Sequence, residues 1–375
     1  MRADRVFLIV LDSLGAGEAP DASKFGDVGA NTLRSLYNTG KLHIPNLLNL
    51  GIGNIDGLDF LGKTAEPVAT VARLEELSGG KDTTIGHWEI CGHVSKDPLP
   101  TFPNGFPENV VNKLKLAFGR DILCNLPYSG TKVLEDFGEE HIKSGKLVVY
   151  TSADSVLQIA AHTDVVALEQ LYEYCKKARE IMQGEYGVGR IIARPFTGKV
   201  GEFKRTADRR DFSLTPPEDL LADRLTAKGY ATIAVGKISD IFAGRGFTES
   251  QHTHSNEEGM AVCSEYSKRD FHGLCFANLV DFDMLWGHRR DPHAYTEGLN
   301  SFDLWLGGFV DNMRQTDMLI ITADHGCDPD FKKTTDHTRE YVPCIVYSPN
   351  EKPKNMGTVK GFDFVAKTVL DALEK

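Results

Sequence analysis

Short apolar runs rich in valine, isoleucine and leucine recur along the whole chain, and this recurrence constrains the fold more than any other feature. Continuous apolar runs are typical of strands buried on both faces, as in a parallel sheet. Stretches with helical character lie between them, so strands and helices are predicted to alternate in an α/β fold. Predicted strands cover residues 6–11, 147–150, 190–193, 231–235, 274–280, 318–322 and 343–347, and predicted helices include 168–183, 217–228, 295–312 and 362–374.

Two proline-rich segments divide the chain. Residues 96–103 (KDPLPTFP) and 213–217 (SLTPP) break regular structure, because proline removes a backbone donor. The 375 residues also exceed the roughly 250–300 at which one hydrophobic core stops growing. We therefore predict a discontinuous core domain of residues 1–97 and 215–375, with a mostly parallel sheet flanked by helices. An inserted α/β cap domain of residues 98–214 interrupts it.

Charge and cysteine usage narrow the class of protein. Fifty-three acidic against 42 basic side chains give a formal net charge of −11, the wrong sign for a general binder of nucleic acid or anionic membranes. Without a membrane-spanning run or a signal peptide, a cytoplasmic location is expected. The seven cysteines form no Cys-x-x-Cys pair, so neither disulfides nor a thiolate zinc site is predicted. The oligomeric state stays open, a monomer included.

Three aspartates lie just after three of the predicted strands: Asp12, Asp283 and Asp324. Ligands of open α/β sheets bind outside the carboxyl ends of the strands, so these side chains are expected to converge. Three histidines accompany them in sequence: His288, His325 and His337. Six such groups are too many for one tetrahedral catalytic site but enough for two metal ions that share ligands.

The donor types indicate which metals would bind. Oxygen and imidazole ligands without thiolate favour manganese or zinc over magnesium. Two such ions are suited to clamp the attacking and leaving oxygens of a phosphoryl transfer. The alternative is that Asp12 and Asp324 are turn or N-cap residues and the histidines are ordinary loop side chains.

Residues 79–89 (GGKDTTIGHWE) supply a candidate nucleophile. This glycine-rich turn could open a helix, whose N-terminus favours a phosphate group. Thr83 is the predicted nucleophile because it follows Asp82 directly, and metal coordination would lower the pKa of its hydroxyl. Thr84 is the alternative. Without the metal, Asp82 and Thr83 could be only a helix-capping pair.

Several segments together resemble the phosphopentomutases of the alkaline phosphatase superfamily. They are Asp12 after its strand and residues 80–89, 281–288 (DFDMLWGH), 323–326 (ADHG) and 335–343 (TDHTREYVP). Residues 31–33, 44–46, 150–155, 191–195 and 236–241 extend the resemblance over essentially the whole chain. The metal motifs alone indicate only the superfamily, whereas residues 80–89 and 281–288 point to this family.

The resemblance implies an isomerase that interconverts ribose 1-phosphate and ribose 5-phosphate, and the 2-deoxyribose pair, with two manganese ions. Zinc, magnesium or cobalt are possible substitutes. Asp283, His288 and His337 would hold one ion; Asp12, Asp324, His325 and the Thr83 oxygen would hold the other. A sugar bisphosphate such as glucose 1,6-bisphosphate would prime the enzyme by phosphorylating the threonine. The phosphoryl group would then pass to the pentose phosphate, and a bisphosphate intermediate would return it from its other end.

The resemblance also assigns residues to the substrate. Ser152 and Asp154 would contact sugar hydroxyls, Arg190 and Lys237 the phosphate that does not react, and Ile192 the wall of the same pocket. Guanidinium and ammonium groups suit phosphate despite the acidic total. A closing cap would keep water away from the phosphothreonine.

Three positions are less clearly defined by the resemblance. Arg205 is either a further phosphate contact or a solvated surface charge. Cys327 stands where the family pattern has asparagine, and Asp208 replaces another asparagine. Neither is a predicted ligand, so both are expected to tune metal affinity at most.

Two rival functions remain. Another enzyme of the superfamily, such as a cofactor-independent phosphoglycerate mutase, a phosphatase or a phosphodiesterase, would use the same metals. Those mutases are longer and use serine, and a hydrolase has no need of this cap. A metal-dependent binding protein without catalysis would lack a ligand or the nucleophile, and none is missing here.

Overall fold

Two structural units account for residues 2–152 and 154–374, which a computed structural model describes. The first unit comprises Met1–Pro98 and Pro216–Lys375, and the second is the continuous segment Leu99–Thr215. Both boundaries lie next to prolines, which end regular backbone pairing. We call these parts the core unit and the inserted unit.

The strands and helices alternate along the chain. The strands are β1 (Arg5–Leu11), β2 (Thr70–Glu75), β3 (Ile122–Pro127), β4 (Leu147–Thr151), β5 (Val156–His162), β6 (Arg190–Thr197), β7 (Lys204–Arg205), β8 (Arg210–Ser213), β9 (Ala231–Val235), β10 (Glu249–Gln251), β11 (Gly273–Leu279), β12 (Asp317–Thr322), β13 (Val342–Tyr347) and β14 (Asn355–Lys360). The α-helices are α1 (Ala22–Phe25), α2 (Thr32–Asn38), α3 (Pro45–Leu50), α4 (Thr83–Ile90), α5 (Glu108–Phe118), α6 (Lys132–Ser144), α7 (Leu168–Ile181), α8 (Leu221–Ala227), α9 (Ile238–Ile241), α10 (Asn256–Lys268), α11 (Pro292–Asp311) and α12 (Phe364–Leu373). A π-helical turn covers Phe282–Gly287, and short 3-10 turns cover Ile52–Asn54, Asp59–Leu61 and Gly184–Tyr186.

The sheet of the core unit has the order β10-β9-β11-β1-β12-β13-β2-β14. Its neighbouring strands are parallel except at β13, which runs antiparallel to β12 and β2. Every residue of β1, β11 and β12 is buried, as the continuous apolar runs predict. Leu11 pairs with Leu279, and Val10 pairs with Thr322. The carboxyl ends of these three strands therefore meet at one edge of the sheet.

The inserted unit has its own sheet, of order β3-β4-β5-β6-β7, with β8 beside β6. Alternating side chains of β4 point to opposite faces, and each face has a hydrophobic core. Leu147 and Val149 pack in a cluster with α5 and α7, whereas Val148 and Tyr150 pack in a cluster with residues of α6. Helices thus flank this sheet as well. The predicted α/β fold class, with an inserted α/β domain, is confirmed.

All seven predicted strands are present, but two of the helix limits were wrong. The helix predicted from residue 217 begins at Leu221, because the side chain of Asp223 accepts a hydrogen bond from Leu220 N at 2.9 Å and fixes the start there. The helix predicted from residue 295 begins at Pro292, after Asp291 caps it by accepting from Ala294 N at 2.9 Å. Among the described residues, no helix is both long and apolar enough to cross a bilayer.

Candidate active site

The three predicted aspartates follow three adjacent parallel strands of the core unit. Asp12 follows β1 directly, Asp283 lies in the π-helical turn after β11, and Asp324 is the second residue after β12. Their exposed fractions are 2%, 8% and 0%, so three carboxylates are buried at one edge of the sheet. Buried carboxylates are costly unless a cation or hydrogen-bond donors compensate them.

In one half of the site, three side chains lie close to His325. Its Nε2 atom lies 3.5 Å from Asp12 Oδ1 and 3.4 Å from Asp324 Oδ2. The same nitrogen is 3.1 Å from the Oγ1 atom of Thr83. The predicted nucleophile therefore lies at the point where these three side chains meet.

In the other half of the site, two histidines lie close to Asp283. Its Oδ2 atom is 3.3 Å from His288 Nε2, and its Oδ1 atom is 3.6 Å from His337 Nε2. The rings of His325 and His337 are stacked with their centroids 3.8 Å apart, so the two halves are in contact. All six predicted metal-binding residues and Thr83 are thus brought together.

Each of the three histidines points its Nδ1 atom at a backbone carbonyl and its Nε2 atom into the site. The acceptors are Thr335 O at 2.9 Å from His288, Gly326 O at 3.1 Å from His325 and Lys81 O at 3.0 Å from His337. Such contacts place the proton on Nδ1 and leave the Nε2 lone pair for a metal, which is the usual arrangement around ligating histidines.

Two observations favour a cation in this site. The Nε2 atoms of His288 and His337 lie 3.1 Å apart, so with both protons on Nδ1 their lone pairs face each other. In addition, three of the buried carboxylate oxygens that have no hydrogen-bond partner among the described residues belong to this site: Asp12 Oδ1, Asp283 Oδ1 and Asp324 Oδ2. A divalent ion in each half would satisfy both the lone pairs and the oxygens. The side chains therefore fit two metal ions.

Burial and neighbouring charges shift three pKa values in the cluster. Burial, followed by the charges of Asp324 and Asp283, raises the pKa of Asp12 to about 7. Burial and the neighbouring His325 lower the pKa of His337 to about 4. Burial opposes protonation of His288 too, but Asp283 and Cys327 raise its pKa to about 12. A metal ion bound by Nε2 of His288 would replace the proton that these neighbours favour there.

Thr83 is held in place by the start of α4. Asp82 is the N-cap residue, and its Oδ1 atom accepts hydrogen bonds from Thr84 N at 3.0 Å and Ile85 N at 3.2 Å. A Cβ atom on Gly86 would lie 2.1 Å from the carbonyl oxygen of Asp324. Only glycine therefore lets α4 approach the turn of Asp324 this closely. The predicted helix start is present, and it directs the hydroxyl of Thr83 toward His325.

Lys81, two residues before Thr83, is hydrogen-bonded to the segment that carries His337. Its Nζ atom donates to His337 O at 2.6 Å and to Asp27 Oδ2 at 2.9 Å. Arg339 also donates through Nη1 to Gly80 O at 2.6 Å. These hydrogen bonds fix the relative position of Thr83 and one histidine of the other half.

Sequence reasoning missed two polar side chains behind the site. His87 is fully buried, with Nδ1 2.8 Å from Thr83 O and 3.1 Å from Asp324 Oδ2. Asn278 donates through Nδ2 to Asp12 Oδ2 at 2.9 Å. The available signals were the spacing of four residues between Thr83 and His87 on one helix face, and a lone amide within the apolar run of β11.

Cys327, one of the two departures from the family pattern, was expected to tune metal affinity at most and not to be a ligand. A group of possible ligand atoms within 4.8 Å of one another contains Asp283, His288 and Cys327. The thiol therefore lies beside two predicted ligands. Asp208, the other departure from the family pattern, accepts from Thr206 Oγ1 at 2.9 Å in a loop of the inserted unit.

Most of the predicted substrate residues lie in the inserted unit. Ser152 and Asp154 form the turn between β4 and β5, where Asp154 N donates to Ser152 Oγ at 3.3 Å. Arg190 begins β6, with Nη1 3.5 Å from Asp211 Oδ2. Ile192 is buried two residues further along the same strand.

The remaining two candidates are in different units. Arg205 is exposed and lines a cavity of about 330 Å³ together with Arg194, Arg209 and their neighbours. Lys237 belongs to the core unit, where it precedes α9. Five of the six predicted substrate residues therefore share the inserted unit, and their role as ligands stays a prediction.

Comparison with known proteins extends over nearly the whole chain. A family model described as the metalloenzyme superfamily matches residues 4–374. A protein named phosphopentomutase from Lachnoclostridium phytofermentans is 52% identical over 369 residues, which cover 98% of this chain and 94% of the relative. A phosphopentomutase from Acetivibrio thermocellus is 50% identical and covers 97% of this chain and 94% of its own length.

Solved structures with low sequence identity share the fold. The PH0037 protein from Pyrococcus horikoshii has a TM-score of 0.51 at 15% identity and covers 100% of this chain and 98% of its own. A phosphoglycerate mutase from Leishmania mexicana has a TM-score of 0.50 at 14% identity, with coverages of 100% and 96%. At these identities the similarity concerns the fold alone.

Proposed function

This chain belongs to the phosphopentomutase family and is therefore an isomerase, an intramolecular phosphotransferase, and from that premise we propose how it works. It interconverts ribose 1-phosphate and ribose 5-phosphate, and the 2-deoxyribose pair, through a phosphorylated Thr83 and a pentose 1,5-bisphosphate. The single observation that carries this proposal is the convergence of the Thr83 hydroxyl with six candidate metal-binding side chains, five of which are buried.

The ligands divide between two ions. Asp283, His288 and His337 hold one, in keeping with their Nε2 and carboxylate atoms within 3.6 Å of each other. The second ion is held by the oxygens of Asp12, Asp324 and Thr83 and by His325 Nε2, which is within 3.5 Å of each of these side chains. Manganese is the proposed metal, with zinc, magnesium or cobalt as substitutes. When bound, the two ions lower the pKa of the nucleophile and neutralise charge on the transferring phosphoryl group.

Thr83 carries the phosphoryl group between the two half-reactions. Glucose 1,6-bisphosphate primes the enzyme: a new bond joins phosphorus to Thr83 Oγ1, the bond to the hexose oxygen breaks, and the threonine proton passes to the departing sugar oxygen. A hydroxyl of the pentose monophosphate then attacks phosphorus, the bond between phosphorus and threonine breaks, and the hydroxyl proton passes to Thr83 Oγ1. The resulting bisphosphate reorients and returns its other phosphoryl group to Thr83, and the threonine proton passes to the departing pentose oxygen. The N-terminus of α4 favours the negative charge at that position.

The inserted unit supplies most of the proposed substrate ligands. Ser152 and Asp154 contact the sugar hydroxyls, and Ile192 lines the pocket of the phosphate that does not react. The guanidinium groups of Arg190 and Arg205 bind the phosphate that does not react, because planar donors match phosphate oxygens. Lys237 of the core unit is a further proposed phosphate ligand. A cytoplasmic location is proposed from the composition.

Phosphorus NMR of ribose 5-phosphate with the manganese-loaded protein tests the reaction. The expected result is conversion to ribose 1-phosphate that starts only after a catalytic amount of glucose 1,6-bisphosphate is added. Release of inorganic phosphate instead, with no ribose 1-phosphate, would contradict an isomerisation and indicate hydrolysis.

A further inference from the structure

We propose that Cys327 is a further metal ligand, which gives the half of the site around Asp283 and His288 a high affinity for thiophilic divalent ions such as zinc and cadmium. This inference rests on the proposed role of Asp283 and His288 as metal ligands. It concerns which ion this half selects.

The geometry brings a sulfur atom to an ion that the other side chains would already hold. Ligand atoms of Asp283, His288 and Cys327 all lie within 4.8 Å of one another. Around a tetrahedral zinc ion with bonds of about 2.0–2.3 Å, ligand atoms are roughly 3.6 Å apart. A small inward movement of the side chains is enough to place all three on one ion.

The surroundings of Cys327 hold the sulfur against the turn that carries both ligands. The residue is fully buried, and a Cβ atom on Gly287 would lie 3.1 Å from its Sγ. Glycine at this position therefore allows the thiol to lie directly beside the π-helical turn. On another side, Arg290 Nη1 donates to the sulfur at 3.4 Å.

The carboxylate of Asp283 is a second observation that favours a cation here. Asp283 is only 8% exposed, and its Oδ1 atom has no hydrogen-bond partner among the described residues. A ligand oxygen of this carboxylate lies within 4.8 Å of the Cys327 sulfur and of a ring nitrogen of His288. A bound metal ion would compensate such a buried anionic group.

The identity of the ion decides whether the thiol matters. Soft thiolate ligands select zinc over manganese, which prefers oxygen and imidazole. Asp283, His288 and His337 would leave the fourth position of a tetrahedral ion open, as in catalytic sites. With Cys327 as the fourth ligand, a zinc ion in this half would have four protein ligands, one of them a thiolate. On binding, the bond between sulfur and hydrogen is replaced by one between sulfur and metal, and the proton leaves to solvent.

Cobalt titration of the metal-free full-length protein tests this inference, because a thiolate bound to cobalt(II) absorbs in the near ultraviolet. We expect the band to saturate at one cobalt per chain while metal analysis finds two. Cys327→Asn should lose the band yet still bind two cobalt ions. Zinc should displace manganese from this variant only at a concentration at least about tenfold higher than from the unchanged protein. Cys327→Ser is the second variant, and Cys344→Ala, a buried thiol on β13, is the control that should keep the band.

The outcomes separate this inference from the proposed function. An unchanged protein that binds two cobalt ions without the band, or a Cys327→Asn protein that keeps it, would overturn the inference. If the manganese form of the same protein isomerises ribose 5-phosphate, the proposed function stands. A protein that binds no cobalt at all would overturn both.

Discussion

The core unit and the inserted unit bury their candidate residues to different degrees. Asp324 and His325 of the core unit are almost completely buried, and His325 is fixed by a hydrogen bond to a backbone carbonyl. In the inserted unit, the side chain of Arg190 remains 36% exposed and Arg205 is exposed. The candidate metal-binding groups of the core unit therefore lie mostly in the interior, where carboxylates without a compensating cation or donor are costly. The two arginines of the inserted unit are in contact with solvent, where guanidinium groups can bind phosphate oxygens.

The largest effect is expected when the proposed nucleophile is removed from the candidate metal-binding cluster of the core unit. Thr83→Ala should lower isomerase activity by at least about 10³-fold, because no hydroxyl would remain to accept the phosphoryl group. Metal analysis should still find two ions per chain, since six other ligands remain.

Thr84→Ala is the matched control for this substitution. It removes the neighbouring buried hydroxyl, which is not the one that contacts His325, and should keep most of the activity. If instead Thr84→Ala is inactive and Thr83→Ala is active, the nucleophile is Thr84.

The second prediction tests whether the core cluster holds two ions. His337→Ala should lose one metal ion and reduce activity by about 100-fold or more, because it removes one of three ligands of the ion around Asp283. Metal analysis by mass spectrometry checks the stoichiometry. Two ions per chain in the variant would contradict the proposed division of ligands.

The third prediction concerns the inserted unit. Arg190→Ala should raise the KM for ribose 5-phosphate by about 10–100-fold, the effect of losing charged hydrogen bonds worth about 1.5–3 kcal/mol. Priming by glucose 1,6-bisphosphate should be affected far less. Steady-state kinetics and the rate of enzyme phosphorylation measure the two effects.

Arg210→Ala provides a control with the same loss of charge. Arg210 lies at the start of β8, with its guanidinium over the rings of Tyr172 and Phe212, 5.3 Å from each centroid. Its removal should leave the KM nearly unchanged. If Arg190→Ala weakens priming and pentose-phosphate binding equally, Arg190 does not bind the phosphate that does not react.

The smallest predicted effect concerns how the stability of the inserted unit depends on pH. His141 of α6 contacts Lys146 O through Nδ1 at 2.6 Å and accepts from His162 N through Nε2 at 2.9 Å. Burial, His162 and Arg120 lower its pKa in the folded protein. The unfolded chain, with a pKa of about 6.5, therefore binds the proton more readily, and stability is lost as the pH falls below that value.

Hydrogen exchange of the α6 amides checks this dependence. After correction for the intrinsic effect of pH, protection in α6 should fall between pH 7.5 and pH 5. His141→Gln should flatten the dependence. Protection that is equal at both pH values in the unchanged protein would contradict the assignment.

The sequence predicts the interior of both sheets better than their edges. Continuous apolar runs identified β1, β11 and β12, because buried parallel strands need apolar residues on both faces. The edge strand β14 (NMGTVK) was missed, since it is mostly exposed and has no apolar run. Strand β5 was missed although it is wholly buried, because Gln158 interrupts its apolar pattern.

The site was predictable where it depends on the ends of strands. Asp12 and Asp324 could be identified because parallel strands bring their carboxyl ends together. The roles of His87 and Cys327 could not, because their contacts arise only when α4 and the π-helical turn pack against the segment around Asp324. Close approach through glycine leaves no periodic signal in the sequence.

Mass spectrometry of the manganese-loaded protein after incubation with glucose 1,6-bisphosphate tests whether Thr83 is the nucleophile. We expect one added phosphate per chain, which peptide fragmentation assigns to Thr83, and its loss on addition of ribose 5-phosphate. A protein shown to hold two metal ions that never gains this phosphate, or gains it on another residue, would show that Thr83 does not carry the phosphoryl group.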